Sequence, residues 1–174
     1  IPSSTLSDVV RVLPESTETV VMLLDSTQVR FRMDDIEITS RLIEGKFPDY
    51  RQLIPKSTDI TAGTNKEELS RITKIASLFA RESGGSVTIQ TDGTKKTISI
   101  HSIASQLGEN TSETEAEVDQ DGTVTLNSKY LIEALGCLDS SEISFGFSGK
   151  LAPCVLKTQG GTADYQHIIM PLKS

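Results

Sequence analysis

The sequence predicts an α+β fold made of a repeated unit: one strand, one helix, then three antiparallel strands. Three observations point to it. Apolar residues recur at helical spacing in three segments, each followed by short alternating runs of strand type. The helical anchors Leu6, Leu69 and Leu131 lie 63 and 62 residues apart, so the order of elements repeats. Turn formers such as Asp34-Asp35 and Asp92-Gly93 separate the alternating runs.

Residues 3–13 place Leu6, Val9, Val10 and Leu13 on one helical face, with Ser3 or Ser4 as cap and Pro14 as terminator. Strands follow at 19–24, 29–33 and 36–43, divided by Asp25-Ser26 and Asp34-Asp35. A short strand at 60–62 leads into a helix running from a capping box at Thr64–Glu68 to about Glu82, which Gly84-Gly85 stops. Strands at 87–90, 97–100 and 114–118 complete that unit. The third unit has a strand at 123–125 and a helix from Asn127 with Leu131, Leu135 and Leu138 on one face. Its strands fall at 143–147, 154–157 and 166–170. The second and third units make one pseudo-symmetric domain, 58–174. The first is half of another such domain, 1–50, and 51–57 reads as a linker.

The chain has 174 residues, 36% of them hydrophobic, with no Trp. That is enough to bury a core, and the composition is not that of a disordered chain. No apolar run is long enough to span a membrane, and no secretory signal is visible. Ile1 in first place suggests a processed chain or a piece of a longer one. Cys137 and Cys154 lack metal-site spacing and read as small apolar fillers in a reducing compartment. His101 and His167 sit in strand-like surroundings and read as structural. Gly146–Lys150 only hints at a phosphate loop, because Leu151 stands where Ser or Thr is needed.

The net charge of −7 argues against nucleic acid on average, since phosphate contacts need Lys and Arg. Its distribution says more. Arg71, Lys74 and Arg81 fall within about 80° of one another on the helical wheel. Leu69, Ile72, Ile75, Ala76 and Phe79 cluster on the other side. Residues 66–81 carry four basic and two acidic side chains. Glu109, Glu113, Glu115, Glu117, Asp119 and Asp121 form an acidic run without any Lys or Arg. Carboxylates can serve a metal-dependent hydrolase. Strand alternation places Glu113, Glu115 and Glu117 in a row on one face, which suits a solvated outer strand better.

Ser40-Arg41-Leu42-Ile43-Glu44-Gly45-Lys46-Phe47-Pro48-Asp49-Tyr50, continued by Arg51-Gln52-Leu53-Ile54-Pro55, closely resembles a segment of the bacterial DNA polymerase III beta sliding clamps. Tyr165–Ser174 is similar to the C-terminus of that family, and the repeat matches its fold. The resemblance covers the whole chain but only about half of a family member. It implies a DNA clamp fold, with sheets outside and helices lining the inner surface of a head-to-tail homodimeric ring. The implied function is a non-catalytic, cytoplasmic processivity factor of the replicative polymerase, with no cofactor. Its implied partners are duplex DNA, met without sequence preference, and DNA polymerase and clamp-loader subunits carrying short peptide motifs.

By that resemblance the DNA-facing residues are Arg71, Lys74 and Arg81, with Arg11 and Lys129 as single charges on their helices. The implied partner-peptide pocket comprises Pro48, Gln52, Leu53, Asn127, Tyr130, Leu151, Met170, Pro171 and Leu172. Gln52 departs from the basic residue common at its position. One wall of the pocket belongs to a part of the family chain with no counterpart here. Leu78 and Phe79 match the ring interface, although Phe79 equally suits plain core. The competing readings are the acidic-site hydrolase and an unrelated β-rich interaction module.

Overall fold

The computed structural model describes residues 1–105, 108–159 and 165–173. Two compact units emerge, Ile1–Pro48 and Asp49–Ser174.

In the first unit, α1 (Ser3–Val12) precedes β1 (Val21–Leu24), β2 (Gln28–Met33) and β3 (Ile36–Arg41). The strands form one antiparallel sheet in the order β1-β2-β3. Asp25 holds the first turn, its Oδ1 accepting from the amides of Thr27 (2.7 Å) and Gln28 (2.8 Å). These bonds favour the ionised carboxylate and lower its pKa. Asp34 takes a φ of +48° in the two-residue turn between Met33 and Ile36, as a tight hairpin requires. The core is Val9, Val29, Phe31 and Met33, flanked by Ile36, Ile38 and Leu42.

The expected apolar face of α1 is only partly right. Val9 and Thr5 are buried, and Thr5 shares a 2.8 Å hydroxyl hydrogen bond with Ser40. Leu6, Val10 and Leu13 remain exposed. A three-stranded sheet covers one narrow stripe of a helix, so the rest of this apolar face meets nothing within the unit. Neither Ser3 nor Ser4 caps α1; Pro2 holds the N-cap position without a side-chain bond.

The second unit begins with a 3-10 turn at Tyr50–Leu53. Its first repeat is β4 (Ile60–Asn65), α2 (Lys66–Phe79), β5 (Ser86–Asp92), β6 (Thr97–Ala104) and β7 (Gly108–Glu115). The second repeat is β8 (Gly122–Asn127), α3 (Ser128–Gly136), β9 (Glu142–Phe147), β10 (Cys154–Thr158) and β11 (Gln166–Ile169). The sheet orders are β11-β10-β9-β4 and β7-β6-β5-β8, with every pairing antiparallel. Each leading strand thus joins the sheet of the other repeat: β4 pairs with β9, and β8 with β5. Gly122 is required where β8 passes Ile60 and Phe147, since a Cβ there would lie 2.9 Å from the Phe147 ring.

Two boundaries differ from expectation. The helix expected to reach Glu82 ends at Phe79, and Gly84 and Gly85 form the following turn at φ +66° and +83°. The strand expected at 114–118 starts earlier, at Gly108, and its regular ladder stops at Glu115. Polar Glu109–Ser112 hid that start, although an edge strand needs little apolar content. The cap of α2 is Asn65, whose Oδ1 accepts from the amides of Glu67 (3.0 Å) and Glu68 (3.2 Å). The reciprocal half of a capping box is missing, because Glu68 turns to Arg71 instead.

Leu69, Ile72, Ala76, Leu131, Ala134 and Leu135 from the helices meet Val87, Ile89, Ile98, Ile100, Ile143, Phe145 and Phe147 from the sheets in one core. Replacing a fully buried Leu here leaves a cavity that the packed core cannot refill. Leu69→Ala is expected to lower stability by about 2–5 kcal/mol, against less than about 0.5 kcal/mol for exposed Lys74→Ala on the same helix. Urea unfolding followed by circular dichroism measures both.

Candidate functional site

The layering of the second unit sorts its charges. α2 packs its apolar face on β6 and β7 and against α3, which leaves its polar face outward. On β6, Ile98 and Ile100 point to that core, so Thr97, Ser99 and His101 point away. Register puts Glu115 opposite Thr97, Glu113 opposite Ser99 and Glu109 opposite Ile103. The acidic row therefore lies on the outer side of the sheet, away from α2. Glu117 is exposed beyond the strand end, and its backbone bridges to Gly63.

The acidic run does not converge. Asp119 pairs with Lys96, and the hydrogen bond and charge of that ammonium hold the Asp119 carboxyl below its usual range. Asp121 Oδ1 accepts from the Gly93 amide at 2.8 Å. No three His, Cys, Asp or Glu among the described residues are grouped to hold a metal ion. His101 shares a 2.9 Å hydrogen bond with Thr111 across the β6–β7 pair.

The basic candidates occupy different situations. Arg71 is exposed on α2, and Glu68 accepts from its Nη2 at 2.7 Å and from its Nε at 3.0 Å. An exposed pair of this kind contributes only about 0.3–0.5 kcal/mol, too little to withhold Arg71 from a competing anion. Lys74 is exposed on α2, with no carboxylate in ion-pair range among the described residues. Arg81 is exposed too but lies past the end of α2, in the turn, so the three-residue helical stripe is a pair on the helix and one residue beyond it. Lys129 on α3 is 4.0 Å from Glu133. Arg11 belongs to the first unit and pairs with Asp8 at 3.3 Å.

Of the residues tied by resemblance to a peptide pocket, several meet at the start of α3. Asn127 caps that helix, its Oδ1 accepting from the Lys129 amide at 2.9 Å and its Nδ2 donating to the Gly84 carbonyl at 3.1 Å. Its side chain is thus committed to the backbone. Tyr130 follows, exposed on α3. The Leu172 amide donates to the Thr125 carbonyl at 2.8 Å, which lays the segment Met170-Pro171-Leu172 beside β8 just ahead of α3. Met170 is exposed, and Pro171 and Leu172 are half-buried. Leu151 is exposed in the turn between β9 and β10. Gln52 and Leu53 lie on the 3-10 turn, where Gln52 donates to Asp49 at 3.0 Å. Pro48 closes the first unit. Ser174 lies outside the described residues.

Leu78 is exposed at the end of α2, and Phe79 is half-buried. Sequence reasoning missed Ile103, which is 58% exposed on β6. Its signal was available: Ile98, Ile100, Ser102 and Ala104 share the inward register, which turns Ile103 out. The Ser105 amide donates to Glu82 at 3.0 Å and draws the end of β6 towards the turn after α2.

The two cysteines differ, contrary to the expectation of two apolar fillers. Cys154 is buried in β10, and burial pushes its thiol up to about 12. Cys137 is exposed, because it caps the C-terminus of α3 at the end of that helix's buried face.

The family profile described as DNA polymerase III beta subunit, C-terminal domain, matches residues 51–173. The profile described as the central domain of the same subunit matches residues 1–49. A beta sliding clamp of Staphylococcus epidermidis is 31% identical across all of this chain, which spans 46% of that relative. A beta sliding clamp of Staphylococcus aureus is 28% identical over the same extent. The chain thus spans about half the length of the relatives it matches. Among solved structures, the DNA polymerase III beta chain of Streptococcus pneumoniae superposes with a TM-score of 0.86 at 28% identity, covering all of this chain and 46% of that one. The beta subunit of Pseudomonas aeruginosa gives the same TM-score at 20% identity, covering all of this chain and 47% of that one, and supports the fold alone.

The thiol environments give a direct test. The thiolate is the reactive form, so the raised Cys154 resists modification while Cys137 is open to it. One thiol per chain is expected to react with Ellman's reagent at mildly alkaline pH in the native protein, and two in denaturant. Two rapid native equivalents would contradict the burial of Cys154.

Proposed function

Because the chain belongs to the DNA polymerase III beta subunit family, we propose that it is part of a sliding clamp, a ring that encircles duplex DNA and tethers replication proteins to it. In this reading it does no chemistry on DNA. It acts in the cytoplasm as the processivity subunit of a DNA-directed DNA polymerase holoenzyme, in a homodimeric ring. The observation that carries the reading is the separation of charge in the second unit. Lys74 and Arg81 are exposed on the helical side, whereas Glu109, Glu113 and Glu115 line the outer face of the sheet.

Exposed Lys and Arg on helices attract phosphates without reading bases, which is what free sliding needs. The acidic outer sheet repels DNA from the wrong side. Arg71 joins the inner set when phosphate displaces Glu68, and Lys129 adds a further charge from α3. Arg11 is the single contribution of the first unit. The domain limits in this reading are 1–50 for the truncated middle domain, 51–57 for the linker and 58–174 for the last domain.

Asn127, Tyr130, Leu151 and Met170-Pro171-Leu172 supply a docking surface for short peptide motifs of polymerase and clamp-loader subunits, with Gln52 and Leu53 as further contributors. Met and Leu offer adaptable apolar walls, and Pro fixes the backbone. Asn127 serves mainly to position α3, since its amide group is already used in capping. Leu78, with Phe79 beneath it and Ile103 nearby, forms the apolar part of the ring-closing edge.

Two measurements test this reading. Lys74→Glu combined with Arg81→Glu is expected to weaken duplex DNA binding. The same change flattens the salt dependence by about 0.9 logarithmic units for each phosphate the variant no longer neutralises. Electrophoretic mobility shifts over a salt series measure it, and a salt-independent interaction would overturn the electrostatic assignment. Met170→Ala and Leu172→Asp are each expected to weaken a labelled clamp-binding peptide about tenfold or more in fluorescence anisotropy. Unchanged affinity in both would refute the pocket.

A further inference from the structure

The first unit has an apolar face that the second unit shows how to cover. In the second unit each repeat lies on the other: α2 packs against α3, and Leu69 and Leu131 are wholly buried. The core-facing residues of the strands after those helices, Val87 and Ile89 on β5 and Ile143 and Phe145 on β9, are buried as well. β1 is the equivalent strand of the first unit. Met22 and Leu24 stand opposite Phe31 and Val29, so they share the helix-side face of that sheet. Yet Met22 is 50% exposed and Leu24 56%, and Leu6, at the repeat position of Leu69 and Leu131, is 44% exposed. Val10 adds an exposed apolar side chain one helical turn further along α1.

A contiguous apolar face of this kind marks an interaction surface. Its proper complement is another repeat of the same shape, because two repeats bury these positions in the second unit. We propose that two copies of the 174-residue chain associate through their first units around a two-fold axis. α1 packs against α1 of the partner and covers Met22 and Leu24, so a true two-fold replaces the internal pseudo-two-fold of the second unit. The surface is self-complementary, as a two-fold interface requires. The charged residues of α1 are Asp8 and Arg11, of opposite sign, and antiparallel helices can exchange that pairing across the axis. The proposal rests on the first unit's geometry and not on what the second unit binds.

Sedimentation equilibrium of the intact chain over the micromolar range is the test. The expected result is a reversible dimer of twice the 18.9 kDa monomer mass. Val10→Glu and Met22→Lys replace side chains already exposed in the monomer, so both variants keep the native circular dichroism spectrum. Each is expected to raise the dimer dissociation constant about 100-fold. Leu78→Glu on the second unit is expected to leave the dimer intact. A monomer at every concentration would overturn the proposal. So would a dimer that survives Val10→Glu and Met22→Lys but is lost with Leu78→Glu, or open-ended assembly in place of a dimer.

Discussion

The exchange of leading strands between the two repeats is the constraint on which the second unit depends. β4 completes the sheet of the second repeat, and β8 that of the first. Neither repeat can form its four-stranded sheet alone. The exchange also fixes the helices, because Asn65 at the end of β4 and Asn127 at the end of β8 are the caps from which α2 and α3 start. Strand pairing, helix initiation and core burial are therefore one cooperative event, and Gly122 sits where the exchanged strands leave no room for a side chain.

That arrangement explains how two kinds of surface coexist on an acidic chain. Helices held by their apolar faces under two sheets must show their polar faces on one side, while the strands show every second residue on the other. Charge sorting then needs no dedicated element. Two exposed cations at and just beyond α2 and a row of glutamates in alternate strand positions create the polarity from ordinary amphipathic patterning. A formal net charge averages over both sides and hides it.

Much of this was legible in the sequence. The period of 62–63 residues, the hairpin turns and the order of elements came directly from hydrophobic spacing. Three features did not. Strand exchange is a choice of distant partner, and the local pattern of Ile60–Asn65 is identical whichever sheet it joins. The exposure of Leu6 and Val10 could not be read either, since periodicity identifies an apolar face without saying whether anything covers it. Arg81 satisfied the helical wheel yet lies outside the helix, because Gly84-Gly85 draws the chain into a turn several residues before the glycines themselves. The fate of Cys137 was similar: its place at the end of α3, not its chemistry, left it exposed. Among the proposed contact residues, Met170, Leu172 and Tyr130 stood out only through family resemblance, for nothing in a short apolar tail distinguishes a docking segment from a frayed end.

The C-terminal segment carries a last consequence. Ile169 is locked in the core on one side of Met170, and the Leu172 amide is bonded to Thr125 on the other. Met170 and Pro171 are thus held between two fixed points, with the Met170 side chain free at its tip. Ordering a loose tail would cost a binding partner conformational entropy for every residue immobilised. Here folding has already met that cost, so an incoming ligand finds a template whose only remaining freedom is the rotamers of one flexible thioether.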